Sequence, residues 1–199
     1  MLGNFMKEII EIKRKEFEVI EKIGDRSFKV ERKGNIYFLK KFEGDKTGFE
    51  AIVKNQEILK NCGITVPKVY MWDKNNMIFV TDFIEGETCF ETLAKKDLDE
   101  STLEALFLMF WYSKKAKVGI DLDPINFKYS SGRLYYLPFK KTNFDPKRDF
   151  FVKDLPNWFF TREFVKLAHS RVVDVDEKRL LSDFEMNKIM TLMAIKYYK

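Results

Sequence analysis

The pattern of the chain changes once, at Glu85-Gly86-Glu87, and that change constrains the fold more than any other feature. Before it come short runs rich in β-formers: Phe17 to Ile23, Phe28 to Arg32, Ile36 to Phe42, Val69 to Trp72 and Met77 to Phe83. β-Branched and aromatic side chains suit a pleated, half-buried surface, and turn residues separate the runs at Gly24, Lys33-Gly34-Asn35 and Asp73-Lys74-Asn75-Asn76. One helix interrupts them. Phe49, Ile52, Val53, Ile58 and Leu59 recur at helical spacing over 48–61, and Gly63 can terminate it. After the break, Asp99-Glu100-Ser101 supplies caps for a helix over 101–116. A loop over 117–126 follows, then a hairpin, Phe127 to Tyr129 and Leu134 to Leu137, around Ser130-Ser131-Gly132. Pro146 and Pro156 punctuate a loop region, and helices near 158–170 and 176–198 close the chain. The pattern predicts an α+β protein: a β-rich N-terminal lobe with one helix over 1–83 and a mostly helical C-terminal lobe over 84–199.

Composition narrows the classes. In 199 residues, 45% are hydrophobic and 34% charged, enough for a packed core and against disorder. No apolar run approaches the roughly 20 residues of a membrane helix. Met1 to Lys15 lacks an apolar block followed by small residues, so neither a leader nor a membrane anchor is expected and a cytoplasmic location is. Cys62, Cys89 and the single histidine, His169, have no zinc-ligand spacing. Both cysteines are expected as buried free thiols. His169 has no evident carboxylate partner in sequence and reads as structural, and the aromatics Phe107, Phe110, Trp111, Trp158, Phe159, Phe160 and Phe164 read as core. The net charge of +5 suits an anionic ligand such as a nucleotide, or RNA, or simply a solvated surface. A single glutamine, with abundant Lys, Glu and Ile, hints at a thermophilic source.

The chemistry concentrates in Val118-Gly119-Ile120-Asp121-Leu122-Asp123-Pro124-Ile125-Asn126-Phe127. Phosphoryl transfer needs cationic and main-chain groups on the phosphates, oxygen ligands for magnesium, and a carboxylate to orient the attacking hydroxyl. This run resembles the Ile-His-Gly-Asp-Leu-x-Pro-x-Asn-Ile loop of small-molecule and atypical kinases. The resemblance implies that Asp121 orients the acceptor hydroxyl and Asn126 binds magnesium. Gly119 replaces the histidine that braces the loop in that family.

Earlier segments fall in kinase order. Ile23-Gly24-Asp25-Arg26-Ser27-Phe28-Lys29-Val30 resembles the glycine-rich loop, with Gly24 retained and Arg26 and Lys29 in place of the later glycines. Tyr37-Phe38-Leu39-Lys40-Lys41 resembles the strand of the phosphate-binding lysine; Lys40 fits by position, and Lys41 should point to the other face. Glu57 or Glu50 is the helix glutamate that would pair with it, and a solvated face accounts for either residue as well. Val66-Pro67-Lys68-Val69-Tyr70 with Phe79-Val80-Thr81-Asp82-Phe83-Ile84-Glu85-Gly86 resembles the hinge region of aminoglycoside phosphotransferases and of the small kinase of the archaeal KEOPS complex. The resemblance makes Thr81 the gatekeeper and gives adenine the carbonyl of Asp82 and the amide of Ile84.

One element departs from the pattern. Where kinases carry Asp-Phe-Gly after the hairpin, this chain has Pro138-Phe139-Lys140, and proline offers no side-chain metal ligand. Asp145 and Asp149 follow, as substitutes or as ordinary loop carboxylates, and Lys140 and Lys141 could offset phosphate charge. The resemblance spans about residues 17–140. It is to the protein-kinase-like superfamily, including KEOPS-type, RIO-type and aminoglycoside phosphotransferase-like kinases, and it implies a bilobal fold. The implied function is ATP- and Mg2+-dependent phosphotransfer to a protein or small-molecule hydroxyl. A pseudokinase that serves as a binding or scaffold protein is the alternative, and an RNA-associated module a third reading.

Overall fold

Alternation of apolar residues builds the first half of the chain. The computed structural model describes residues 8–197; the start of the Met1 to Lys15 segment and the last residue of the expected 176–198 helix lie outside them. Two compact units are present, Met1–Ile58 with Val66–Ile84, and Leu59–Thr65 with Glu85–Lys199. The class is α+β.

In the first unit, β1 (Ile9–Ile12), β2 (Lys15–Gly24), β3 (Ser27–Arg32), β4 (Asn35–Lys41), β5 (Val69–Asp73) and β6 (Ile78–Asp82) form one antiparallel sheet in the order β1-β2-β3-β4-β6-β5. Helix α1 (Lys46–Asn61) lies between β4 and β5 in sequence. Ile10 and Ile12, Phe28 and Val30, Tyr37 and Leu39, and Ile78 and Val80 sit two apart on their strands and share one buried cluster with Phe17. The registers Val30↔Tyr37, Phe28↔Leu39 and Leu39↔Val80 bring them side by side across the sheet. Full burial of such a side chain is worth roughly 1.5–3 kcal/mol, so a one-residue slip that turned this set outward would be prohibitive. The rings of Phe17, Tyr37 and Tyr70 meet at centroid distances of 4.6–6.2 Å, and Arg32 donates to the Tyr70 hydroxyl at 3.0 Å.

Strand β1 was not expected. It pairs with β2 through a turn at Lys13-Arg14, both with positive φ (49° and 62°), so the turn carries none of the glycine or asparagine that marks such hairpins.

The second unit contains α2 (Cys89–Lys95), α3 (Glu100–Ala116), β7 (Gly119–Ile120), β8 (Phe127–Ser130), β9 (Arg133–Tyr136), β10 (Lys141–Thr142), α4 (Phe150–Lys153), α5 (Arg162–Ser170) and α6 (Asp183–Tyr197). Helix α2, also unexpected, starts with a capping box in which Thr88 and Glu91 satisfy each other's backbone amides. The last two helices begin later than expected. Short 3-10 turns occupy Leu155–Trp158 and Glu177–Arg179, and Thr161 caps α5. Phe90, Leu93, Phe160, Phe164, Ala168 and Val175 form one core cluster of this unit.

Three residues depart from the readings above. Trp111 is 51% exposed rather than core, and Lys115 lies over its ring. His169 is exposed and sits 3.7 Å from Glu177. Cys62 is only half-buried. Cys89 is buried, which pushes its thiol pKa up to about 12. Among the described residues no helix is long and apolar enough to cross a membrane.

Candidate functional site

The loop that carries Asp121 and Asn126 is positioned by its two flanks. Before it, β7 pairs antiparallel with β10, Gly119 opposite Thr142 and Ile120 opposite Lys141. A Cβ on Gly119 would lie 2.5 Å from Thr142 Oγ1 and 2.6 Å from the carbonyl oxygen of Asn143. No side chain fits there. The glycine that replaces the expected bracing histidine is therefore a requirement of close backbone approach.

The bracing comes from elsewhere. Trp158, fully buried, donates its indole N–H to the carbonyl of Leu122 at 2.8 Å. The hydroxyl of buried Tyr136 accepts from the Asp121 amide at 3.3 Å and donates to the Lys140 carbonyl at 2.7 Å, tying the loop to the segment after the hairpin. Burial pushes the Tyr136 phenol up to about 12, so it stays protonated and able to donate at neutral pH. Asp123 caps the turn by accepting from the Ile125 amide at 3.1 Å, and its carboxylate grips Arg171 with both oxygens, one contact at 3.0 Å. Such a forked pair fixes direction as well as distance. Pro124 opens a 3-10 turn that ends at Asn126.

These contacts set the two candidate side chains. Asp121 is exposed, and its Oδ1 accepts from the Asp123 amide at 3.2 Å. Asn126 is half-buried, and its Nδ2 donates to the Asp121 carbonyl at 3.4 Å, which leaves its Oδ1 turned to other use. The structure brings these two together.

Pro138 precedes buried Phe139, whose φ is +50°. Of the two later carboxylates, Asp149 is committed as the cap of α4, accepting from the amides of Phe151 and Val152 at 3.0 and 3.3 Å. Asp145 is exposed and accepts from the Lys147 amide at 2.9 Å. Among the described residues no three His, Cys, Asp or Glu side chains cluster as a metal site. The oxygen donors along this stretch are the amide oxygen of Asn126 and the exposed carboxylates of Asp121 and Asp145, and Pro138 adds none.

A residue the sequence reading passed over stands here. Arg148 donates from Nε to Asp154 Oδ2 at 2.8 Å and from Nη2 to Oδ1 of the same carboxylate. Asp154 is buried and Arg148 half-exposed. The hydrogen bonds to Asp154, with the added fields of Asp154, Asp121 and Asp145, push the guanidinium pKa further up. Nothing in the local pattern marks Arg148, because the contact is made by folding rather than by spacing.

In the first unit, Gly24 ends β2 opposite Ser27, so the segment resembling a glycine-rich loop is a tight hairpin turn at Asp25-Arg26. Arg26 sends its guanidinium to the carbonyl of Glu43 at 2.8 Å. Lys40 is half-buried with Nζ 5.1 Å from the Phe42 ring centroid, and Lys41 lies over Phe28 at 5.2 Å. Glu50 and Glu57 are both exposed, and neither forms an ion pair with Lys40 among the described residues. The polar side chain that α1 buries is Asn55, 9% exposed. Thr81 is buried and donates to the carbonyl of Asp82 at 3.1 Å, leaving one lone pair on that oxygen. The Asp82 amide donates to the carbonyl of Lys68 at 2.9 Å, and Ile84 is half-buried.

Sequence comparison gives the context. The KEOPS complex subunit Bud32 of Pyrococcus abyssi (strain GE5 / Orsay) is 31% identical over 102 residues, covering 48% of this chain. The chain is protein-kinase-like. The match spans 46% of that relative's own length, a little under half. No family model matches the chain. The solved structure of LicA in complex with AMP aligns with 98% of this chain and 84% of its own, at 19% identity and a TM-score of 0.44.

Proposed function

We propose that this kinase-like protein binds ATP and passes a phosphoryl group to a hydroxyl of a protein or a small molecule. The observation that carries the reading is the Asp121–Asn126 loop, an exposed carboxylate whose backbone is held by Trp158, Tyr136 and the Asp123–Arg171 pair. A carboxylate fixed in this way can orient an acceptor hydroxyl and take its proton. In the first unit, Lys40 is the phosphate-directed lysine, Gly24 the remnant of the glycine-rich loop, and the Asp82 carbonyl and Ile84 amide the adenine contacts. Glu57 or Glu50 is the glutamate partner proposed for Lys40. In the second unit, Asp121 is the acceptor carboxylate and Asn126 the amide turned toward the phosphates. Magnesium, where bound, would neutralise phosphate charge. The relative named above is a complex subunit, and a protein partner or substrate is part of the reading.

A second reading, a pseudokinase that binds nucleotide without transferring phosphate, is favoured by Pro138 in the place of the metal-binding aspartate. Turnover separates the two. ATP hydrolysis or transfer that disappears in Asp121→Asn supports the transferase. Stabilisation by ATP without measurable turnover supports the pseudokinase. The RNA-associated alternative predicts affinity that falls steeply with salt.

A further inference from the structure

The charge that magnesium would bring to the phosphates has a second source in the structure. We propose that Arg148 holds a phosphate group beside Asp121 directly, so that this protein binds phosphorylated ligands without a divalent cation. The inference deepens the nucleotide-binding reading and rests on it.

Geometry carries the case. Asp154, buried, takes the Nε–Nη2 edge of the guanidinium with both carboxylate oxygens and fixes the plane of the fork. The Nη1 edge makes no hydrogen bond among the described residues, and the side chain is 49% exposed. A guanidinium has five N–H donors in a rigid plane, so an edge held by a carboxylate leaves donors in place for a phosphate oxygen. Arg148 lines a small pocket of the second unit with Gly119, Ile120, Leu122, Asn143 and Asp145, so it opens onto the residues either side of Asp121. Exposed Lys140 and Lys141 on the adjoining segment add positive charge. The field of Asp121 felt at Arg148 agrees with this placement.

The donor set leads the same way. Pro138 contributes nothing to a cation, and Asp149 accepts the first amides of α4 as its cap, so the position after the hairpin supplies no aspartate for one. A fixed guanidinium meets the same electrostatic need by hydrogen bonds to phosphate.

Isothermal titration of the full chain with ATP, and separately with inorganic tripolyphosphate, in EDTA and then in magnesium, tests this. Wild type is expected to bind both in EDTA, with Kd changed by less than about threefold when magnesium is added. The neutral pair Arg148→Gln with Asp154→Asn is expected to weaken binding by about ten- to a hundredfold, the usual loss of a charge-assisted contact. Should that pair fail to fold, Arg148→Lys keeps the charge without the fork and should weaken binding by about fivefold or more. Binding that appears only with magnesium, or affinity unchanged in these variants, overturns the proposal. Tripolyphosphate bound through Arg148 without ATP binding removes the nucleotide reading and leaves the Arg148 contact standing. Binding of neither ligand in either buffer removes both.

Discussion

Side-chain bulk at position 119 should damage the protein, even though the loop that this run resembles carries a histidine there. In Gly119→Ala the new Cβ would sit 2.5 Å from Thr142 Oγ1, 2.6 Å from the Asn143 carbonyl oxygen and 2.8 Å from its carbon. Real Cβ atoms do not approach heavy atoms this closely, so β7 and β10 must separate. Overpacking of this kind costs about 1–3 kcal/mol, and because two of the three atoms are backbone the upper end applies. For a chain of this size, about 3 kcal/mol lowers the melting temperature by roughly 6–12 °C. Calorimetry of the wild type, Gly119→Ala and Gly119→Ala with Thr142→Ala reads the effect. The threonine is only part of the obstruction, so the double variant should recover little. A Gly119→Ala protein that melts within a degree of wild type, or a double variant fully restored, would refute the close approach.

Trp158→Phe strands the buried Leu122 carbonyl and shrinks a fully buried ring that packs on Phe127 at 5.1 Å. It should cost about 2–4 kcal/mol in urea unfolding, and a loss under 1 kcal/mol would contradict the role given to the indole N–H. Burial would raise the carboxyl pKa of Asp73, but hydrogen bonds from Asn76 and Asn75, aided by Lys13, outweigh it and hold the pKa below its ordinary value. The stability it adds is thus present above about pH 4 and lost as pH falls through the lower folded value. The melting-temperature gap between wild type and Asp73→Asn should narrow from pH 6 to pH 3, and a gap that widens would reverse the sign. With Cys89 buried and its thiol raised to about 12, native protein should expose at most the Cys62 thiol to an aromatic disulfide reagent, and denatured protein both. Two equivalents reacting rapidly in the native state would contradict this burial.

What the sequence revealed and what it concealed divide along physical lines. Period-two alternation and turn residues made β2 to β6 legible, because burial of one sheet face leaves a direct trace in the order of residues. The β1–β2 turn left no trace because Lys13 and Arg14 adopt positive φ without glycine. Helix α2 did leave one, the Thr88-x-x-Glu91 capping box, beside the Glu85-Gly86-Glu87 break. The Asp121–Asn126 spacing was readable as a motif, but its supports were not. Trp158 reaches Leu122 across 36 residues and Arg171 reaches Asp123 across 48, contacts that no local pattern encodes. Gly119 read as a missing brace until the approach of Asn143 showed what its lack of a side chain permits. Trp111 read as core by helical spacing, yet that face of α3 meets solvent.

Nucleotide binding is common to the transferase and pseudokinase readings of this chain. The melting temperature of the full chain, with and without ATP, tests it most directly. At about a hundredfold excess over Kd, binding to the folded state alone adds about 2.7 kcal/mol, a rise of roughly 5–11 °C. A saturable rise with ATP, absent with the free nucleobase, is the predicted result. An unchanged melting temperature at millimolar ATP, with and without magnesium, would rule out nucleotide binding.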